Sequence, residues 1–311
     1  MELCNKEICS GCNACVAVCK HDAISMIADE EGFLQPNIFL DKCVECGLCR
    51  KTCPILSPLK APDHSHQKLY ALHSKDKLIR RRSTSGGFFS VISKEIIDGG
   101  GKAVGVVLND DLKIAHLCID DTDEIYRFSG SKYVQSDLQN CFRQVEQCLQ
   151  SGHKCVFSGT PCQVAGLINY IPTKLQTNLT TISFICGGVP SIKFLKQNLT
   201  PFLNDAQSLK FRNGEKYGFW IKKTDKCCHS PVFDTITLHR QKSPQLSPRG
   251  LKCVFLNFLL IQNIKSTLLP HRVHRSNFSD ICSGNTRDRL SVKVLMLLSI
   301  LLICFSKEAI F

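Results

Sequence analysis

The chain has 311 residues, 20 of them cysteine, a formal net charge of +12 and 43% hydrophobic residues. This length and composition allow about two domains with buried cores, so they exclude a disordered or fibrous protein. Residues 1–20 lack the apolar stretch of a secretory signal peptide. The sequence therefore favours a cytoplasmic protein whose reduced cysteines bind metal or take part in redox chemistry, rather than a disulfide scaffold.

The charge is unevenly distributed along the chain. Residues 1–57 are acidic, whereas the segment after Pro231 is basic. A basic excess can indicate a nucleic-acid surface. This one falls in a segment of atypical composition, so we expect no nucleic-acid partner.

Residues 9–19 and 43–53 each contain four cysteines with the spacing C-x2-C-x2-C-x3-C. The short gaps let three neighbouring sulfurs face one centre, while the fourth points away and serves the other cluster when two such motifs pack together. We therefore expect two 4Fe–4S clusters. The first is assigned to Cys9, Cys12, Cys15 and Cys53. The second is assigned to Cys43, Cys46, Cys49 and Cys19.

Residues 23–41, between the motifs, predict two short strands joined by a turn near Glu31-Gly32. The pattern predicts a two-cluster ferredoxin-like domain over residues 1–57. The alternative is a pair of zinc sites, but zinc modules usually pair two C-x2-C units across a longer loop. Cys4 lies outside both motifs and receives no role.

Residues 58–67 contain two prolines and two histidines, show no periodicity and predict a linker. A strand is predicted over residues 68–74, followed by a basic, glycine-containing loop (80–87) that leads into a helix stopped by Gly99. Free amides at a helix N-terminus, glycines and arginines together suit a phosphate or carboxylate. The alternative is an ordinary serine-capped helix preceded by a solvated basic run.

Further along, residues 102–119 predict a hairpin, and residues 136–152 predict a helix with a capping box of Ser136 and Gln139. Two strand–turn–helix units follow, which predict a parallel sheet with ligands at the carboxyl ends of its strands. In the first unit Thr160 caps a helix that begins at Pro161.

Cys162 lies in the first turn of that helix, where a thiol becomes more acidic and reactive. It is therefore a candidate redox thiol, cluster ligand or flavin neighbour, and the alternative is a buried structural cysteine. Cys186, at the end of the second strand, is a weaker candidate of the same kind. A last hairpin (208–223) carries aromatic residues that either stack on a flavin ring or form core.

Several motifs, in this order, resemble the family of coenzyme F420 hydrogenase and dehydrogenase beta subunits. After the cysteine motifs come "STSGGFFS", "SGSKYVQSD", "FSGTPCQVAGL", "CGGVPS" and "KFRNGEKYGFW". The resemblance extends to about Asp234 and implies family regions at 68–150 and 151–234. It implies an iron–sulfur flavoprotein in which FAD relays electrons between clusters and a two-electron acceptor, coenzyme F420 in archaeal members.

The resemblance also implies site residues. Ser85, Gly86 and Gly87 would lie near the flavin or deazaflavin. A cofactor-proximal turn would consist of Gly159, Thr160, Pro161, Cys162 and Gln163. One departure is Gly187, where the family often has histidine.

The last segment, residues 235–311, is basic and aperiodic and matches nothing in the family. We expect it to be incomplete or disordered, and a shifted reading frame is one hypothesis for its origin. Its apolar run (294–305) is shorter than the roughly twenty residues that span a bilayer. We therefore expect no membrane attachment.

Together these patterns predict an α+β protein, with a two-cluster ferredoxin-like module followed by an α/β flavin-binding-type domain. The predicted function is an iron–sulfur oxidoreductase that works with a redox partner protein or subunit of the ferredoxin, hydrogenase or reductase type. The alternative is a non-catalytic ferredoxin-like electron carrier with a degenerate flavin domain.

Overall fold

A computed structural model describes residues 3–60, 70–109, 112–199, 206–213, 216–223 and 227–230. Most of the predicted linker and all of the segment 235–311 lie outside these residues. No helix within the described ranges combines the length and hydropathy needed to cross a bilayer.

The described residues contain seven α-helices, two 3₁₀ helices and nine strands. In chain order these are α1 (Ala14–Val18), β1 (Ile24–Ala28), β2 (Leu34–Ile38), α2 (Leu48–Thr52), α3 (Lys77–Arg82), α4 (Phe88–Asp98), β3 (Lys102–Leu108), β4 (Ile114–Ile119), η1 (Thr122–Phe128), α5 (Cys141–Gln150), β5 (Cys155–Gly159), α6 (Pro161–Tyr170), η2 (Thr173–Asn178), β6 (Leu179–Ser183), α7 (Ile192–Leu199), β7 (Ala206–Asn213), β8 (Lys216–Lys223) and β9 (Cys227–Ser230). The fold is thus mixed α and β, as predicted.

The amino-terminal module (residues 3–57) is built on one hairpin and two short helices. Strands β1 and β2 pair antiparallel, with Ile24 opposite Ile38. Gly32 lies in the turn between them with φ 83°, a left-handed conformation that glycine adopts without strain. The hairpin predicted between the cysteine motifs is therefore confirmed.

A four-stranded sheet with the order β4-β3-β5-β6 forms the centre of the remaining chain. Strands β3, β5 and β6 are parallel, and β4 is an antiparallel edge strand that forms the predicted hairpin with β3. Helix α6 begins directly after β5, at the carboxyl edge of the parallel strands. Since α4 runs back to the start of β3, its first residues lie at this same edge, where ligands of α/β sheets bind.

Both faces of the sheet are covered. Helix α4 and η1 pack on one face around Val107 and Val156. Helices α5 and α6 pack on the other, around Phe142 and Phe157. The same cluster includes Ala14 and Ala17 of α1 together with Cys12. The amino-terminal module and the sheet therefore share one hydrophobic core.

Polar contacts strengthen this junction. The Arg143 guanidinium on α5 donates to the carbonyl oxygens of Ala17 and Cys19 at 3.1 and 2.7 Å. The positive charge thereby lies at the C-terminus of α1, which carries partial negative charge. At the N-terminus of α1, the side-chain amide of the N-cap residue Asn13 donates to the Gln139 carbonyl at 2.8 Å.

The hairpin of the module is also attached to the sheet region. The Leu34 backbone amide donates to the Gln135 side chain at 2.8 Å, and the Ser191 hydroxyl donates to the Glu31 carbonyl at 2.6 Å. These contacts satisfy backbone groups that the short hairpin leaves unpaired. Hydrogen bonds therefore attach the module to the rest of the chain both at α1 and at the β1–β2 hairpin.

Two predictions of local structure are wrong. Residues 70–74 form no strand. The predicted capping box at Ser136 does not exist, because α5 begins only at Cys141 and Gln139 has a left-handed φ of 48°. Asp137 instead extends the sheet beside β4: its amide donates to the Ile114 carbonyl at 2.9 Å, and its carbonyl accepts from His116 at 2.8 Å.

The predicted last hairpin is present as β7 and β8, and β9 adds a third strand. Phe211 and Phe219 are buried and pack with Leu195 and Ile114 in a third hydrophobic cluster. These two aromatic residues are therefore core, one of the two alternatives that the sequence left open.

His116, on β4, is buried and makes stability depend on pH. Its ring stacks on Phe157, with ring centroids 5.3 Å apart, and its Nε2 lies 3.1 Å from the Ser158 carbonyl. Burial lowers the pKa of His116 to about 4. Since an unfolded histidine titrates near pH 6.5, the unfolded chain binds the proton first, and stability is lost as pH falls from about 6.5 to 4.

We expect the protein to lose about 1 kcal/mol of unfolding free energy through this group between pH 7 and 5.5. In His116→Phe this dependence disappears, whereas the exposed control His153→Phe retains it. Anaerobic thermal unfolding midpoints at the two pH values measure the difference. Equal pH dependence in the wild type and His116→Phe would show that His116 is not the group responsible.

Candidate metal and cofactor site

The two cysteine motifs adopt the same backbone conformation. In each motif, the residues before and after the second cysteine have left-handed φ angles. These are Gly11 (67°) and Asn13 (65°) in the first motif, and Glu45 (53°) and Gly47 (75°) in the second. Two left-handed residues curl the chain, so that the sulfurs on either side turn towards one centre. The repeat seen in sequence is therefore a repeat in structure.

Each motif then enters a short helix that ends at its fourth cysteine. Helix α1 contains Cys15 and is capped by Cys19, and α2 contains Cys49 and is capped by Cys53. The two helices pack against each other. The third and fourth cysteines of a motif are thereby separated by one helical turn, which sends the fourth towards the other motif.

The first cavity, of about 380 Å³ including its open mouth, lies beside the first motif. Its lining includes three cysteines of that motif and the last cysteine of the second, together with Cys4. The five are Cys4, Cys9, Cys12, Cys15 and Cys53. Apart from Cys4, this is the set predicted for the first cluster.

The second cavity, of about 360 Å³, has the reciprocal composition. It is lined by three cysteines of the second motif and the last cysteine of the first: Cys43, Cys46, Cys49 and Cys19. The structure thus brings together the two predicted sets, including the exchange of the fourth cysteine.

The cavities fit an iron–sulfur core in the chemistry of their lining, which supplies at least four cysteine sulfurs to each. Burial raises the pKa of Cys12 well above its usual range and that of Cys15 to about 12. Such sulfurs become thiolates when a bound metal supplies positive charge. Within the described ranges, no three His, Cys, Asp or Glu side chains gather closely enough for a single ion.

The turn predicted to lie near a cofactor starts α6 as expected. Thr160 is the N-cap and Pro161 the first helical residue. The Gln163 side chain accepts from the Thr160 backbone amide at 2.9 Å and donates to the Ser136 hydroxyl at 3.0 Å. Gly159 lies against Gln163, since a Cβ there would meet Oε1 of Gln163 at 3.1 Å. The turn is therefore fixed by its own side chains.

Cys162 is the second residue of α6. Its thiol is 5% exposed and 3.1 Å from the Thr160 hydroxyl. It interacts electrostatically with the thiols of both Cys9 and Cys12. One turn later, a Cβ on Gly166 would stand 3.1 Å from the sulfur of Cys12. Helix α6 thus lies directly against the first motif.

Ser85, Gly86 and Gly87 lie just before α4, at the carboxyl edge of the sheet. The backbone of residues 72–74 approaches Gly86 closely. A Cβ on Gly86 would stand 2.3 Å from the Leu72 carbonyl oxygen, and the Ser74 amide donates to the Gly86 carbonyl at 2.6 Å. The absence of a side chain at Gly86 therefore lets two segments of the chain pair at this edge. The preceding arginines, Arg80–Arg82, belong to helix α3 rather than to a loop.

Lys132 is a half-buried charged residue that sequence reasoning did not single out. Its ammonium group donates to the carbonyls of Arg127, Phe128 and Ser129 at 3.2, 3.0 and 3.1 Å. Burial lowers the pKa of Lys132 to about 8. The adjacent Ser131 amide donates to the Thr84 hydroxyl at 3.0 Å. Lys132 thus fixes the loop that contacts Thr84, just before α4. The only indication of this role in the sequence was the position of Lys132 within the motif "SGSKYVQSD".

Cys186 lies past the end of β6 at the same edge and is buried. Its sulfur accepts from the Gly188 amide at 3.4 Å. The neighbouring Phe184 and Ile185 are exposed, at 45% and 36%. Apolar side chains therefore face solvent beside Cys186 at this edge.

Comparisons with known proteins agree with the amino-terminal geometry. The 4Fe–4S dicluster domain family matches residues 8–55. An F(420)H(2) dehydrogenase subunit of Methanosarcina mazei is 23% identical over 153 residues, which are 46% of this chain and 43% of the relative. This chain therefore spans less than half the length of that relative.

A chain from the F420-reducing [NiFe] hydrogenase complex of Methanosarcina barkeri superposes with a TM-score of 0.41 and 16% identity, over 54% of this chain and 63% of the other. That superposition is too loose to carry an argument. The family match and the paired cysteine cavities agree for the amino-terminal part of the chain. Residues 8–55 are therefore a 4Fe–4S dicluster domain, in a chain whose sequence is similar to that of an F420H2 dehydrogenase subunit.

Proposed function

We propose that this protein is an iron–sulfur oxidoreductase that passes electrons through two 4Fe–4S clusters to or from a two-electron acceptor of the flavin or deazaflavin type. The acceptor would bind at the carboxyl edge of the four-stranded sheet. The observation that carries the proposal is the pair of cavities, one of which lies directly against α6 at that edge.

The proposed ligands follow the lining of each cavity. Cys9, Cys12, Cys15 and Cys53 would hold the first cluster. Cys43, Cys46, Cys49 and Cys19 would hold the second. Each cluster would thus take three ligands from one motif and the fourth from the other.

The surroundings of the cavities suggest an order for the two clusters. Cys12 of the first set packs against Gly166, inside the protein. In the second set Cys46 is exposed, and the nearby Val44 and Leu48 are 58% and 38% exposed. We infer that a redox partner protein exchanges electrons at the second cluster, and that the first cluster exchanges them with the acceptor.

The cofactor assignments rest on the family resemblance and on the name of the M. mazei relative. FAD would supply the conversion between single-electron and two-electron steps. Ser85–Gly87 and Gly159–Gln163 are the residues proposed to lie near it, and coenzyme F420 is the proposed substrate. The partner would be a ferredoxin, hydrogenase or reductase type of protein or subunit.

Cofactor content after anaerobic purification tests the proposal. We expect about eight irons and one flavin per chain, with visible absorbance that dithionite bleaches. Reduced protein mixed with coenzyme F420 should then lower the absorbance of the deazaflavin. Iron without flavin, and no reduction of F420, would instead establish the alternative of an electron carrier. Zinc in place of iron would contradict both functions.

Cys162 is proposed to act beside the first cluster as a redox thiol or proton donor. Cys162→Ser should retain iron and flavin but slow the reduction of the acceptor about tenfold or more, equivalent to roughly 1.4 kcal/mol in the barrier. Stopped-flow absorbance measures this rate. Cys141→Ser, a buried thiol on α5, is the matched control and should keep the wild-type rate. An unchanged rate in Cys162→Ser would remove Cys162 from the proposed path.

A further inference from the structure

The two cavities differ by one thiol. The second is lined by the four cysteines of its predicted set, whereas the first has a fifth, Cys4. Cys4 precedes both motifs and lies outside the residues matched by the dicluster domain family. Spacing rules assign it no partner. Its position therefore calls for a physical explanation of its own.

Cys4 lies in the wall of the first cavity and is followed by a hydrogen-bonded turn. The residue is only 9% exposed. After it, the Asn5 carbonyl accepts from the amides of Ile8 and Cys9 at 3.1 and 3.0 Å, and the Asn5 side chain accepts from Glu7 at 2.9 Å. This turn carries the chain directly from Cys4 to the first ligand of the motif.

The neighbours of the Cys4 thiol distinguish it from an ordinary packed cysteine. It lines the same cavity as Cys9 and Cys53, and its sulfur lies 3.5 Å from the Asn5 carbonyl oxygen. Cys53 is the one member of the first set that comes from the other motif, so its position depends on how the two motifs pack. Cys4 is thus adjacent to the place that Cys53 fills, and it is tethered to the first motif through the short segment before Cys9.

We propose that Cys4 is a reserve iron ligand of the first cluster, able to bind the iron that Cys53 would otherwise hold. This inference rests on the proposed cluster assignment. In the exchange, the iron–sulfur bond to Cys53 breaks and one to Cys4 forms. The proton that leaves the Cys4 thiol passes to the sulfur of Cys53, and no electron is gained or lost.

Cys53 and Cys19 are the cysteines that each motif contributes to the cavity of the other, and replacing them tests the inference. Only the first cavity has a fifth thiol, that of Cys4, which could take the place of the one removed. Cys53→Ala should retain about eight irons, with a changed electron paramagnetic resonance spectrum for the first cluster. Cys4→Ala alone should keep eight irons and the wild-type spectrum. The double variant should fall to about four irons and retain the signal of the second cluster. Cys19→Ala, the matched control at the second cavity, should also fall to about four irons.

The outcomes separate this inference from the proposed function. Loss of the first cluster in Cys53→Ala, with the second cluster and the far-ultraviolet circular dichroism retained, would overturn the reserve role. So would loss of a cluster in Cys4→Ala alone, or a full iron content in the double variant. Wild-type protein without iron–sulfur signals would instead refute the proposed function.

Discussion

Gly166→Leu should remove the first cluster and leave the second in place. A Cβ at this position of α6 would stand 3.1 Å from the sulfur of Cys12 and 3.2 Å from the Ala14 Cβ. The remaining carbons of leucine have no space unless the first motif moves, and Cys12 is a proposed ligand. We expect the iron content to fall from about eight to about four per chain.

Iron analysis and electron paramagnetic resonance of the reduced protein measure this change. Gly99→Leu is the matched control, because Gly99 is exposed and a Cβ there would meet nothing closer than 3.5 Å. This control should keep both clusters. Full iron and both signals in Gly166→Leu would contradict the contact between α6 and the first motif.

Phe142→Ala should cost about 3–5 kcal/mol of unfolding free energy. The Phe142 side chain is 1% exposed and packs edge-on against Phe157, with ring centroids 5.7 Å apart. It also stacks on Tyr170 at 6.1 Å. Truncation leaves a cavity in a core that close packing does not readily refill. Because this core includes Cys12, the loss should affect the clusters as well as the sheet.

Thermal unfolding under anaerobic conditions checks this expectation, with cluster absorbance and circular dichroism recorded together. The two signals should change in one transition, at a much lower temperature than in the wild type. Phe39→Ala, at a position 38% exposed, should shift the midpoint far less. Separate transitions for the two signals would show that the module and the sheet unfold independently.

Much of the fold followed from local patterns. The hairpins over residues 24–38 and 102–119 were predicted, because alternating apolar residues around a turn act over a short range. The start of α6 was predicted at Thr160 and Pro161, which satisfy helix N-terminal geometry by themselves. The composition of each cysteine set was also anticipated, since the gap lengths limit which sulfurs can converge.

The remaining features depend on contacts between distant segments. Ser136 and Gln139 have the sequence of a capping box, but Asp137 pairs beside β4 and prevents the helix from starting there. Gly86 is approached by the Leu72 backbone, a contact between segments that the local sequence does not indicate. Cys4 lines the first cavity, and spacing within a motif says nothing about a thiol that precedes it. The missing capping box is a case in which tertiary packing overrides a local preference.

The core shared by α1 and α6 limits how this protein can be divided or recombined. The amino-terminal module has only about fifty residues, too few to bury much surface alone. Its Ala14 is fully covered, within a cluster to which α5 and α6 contribute. A free ferredoxin exchanged for it would lack this complementary face. The distance between the module and the sheet is therefore set by this shared core and does not depend on diffusion of two separate proteins.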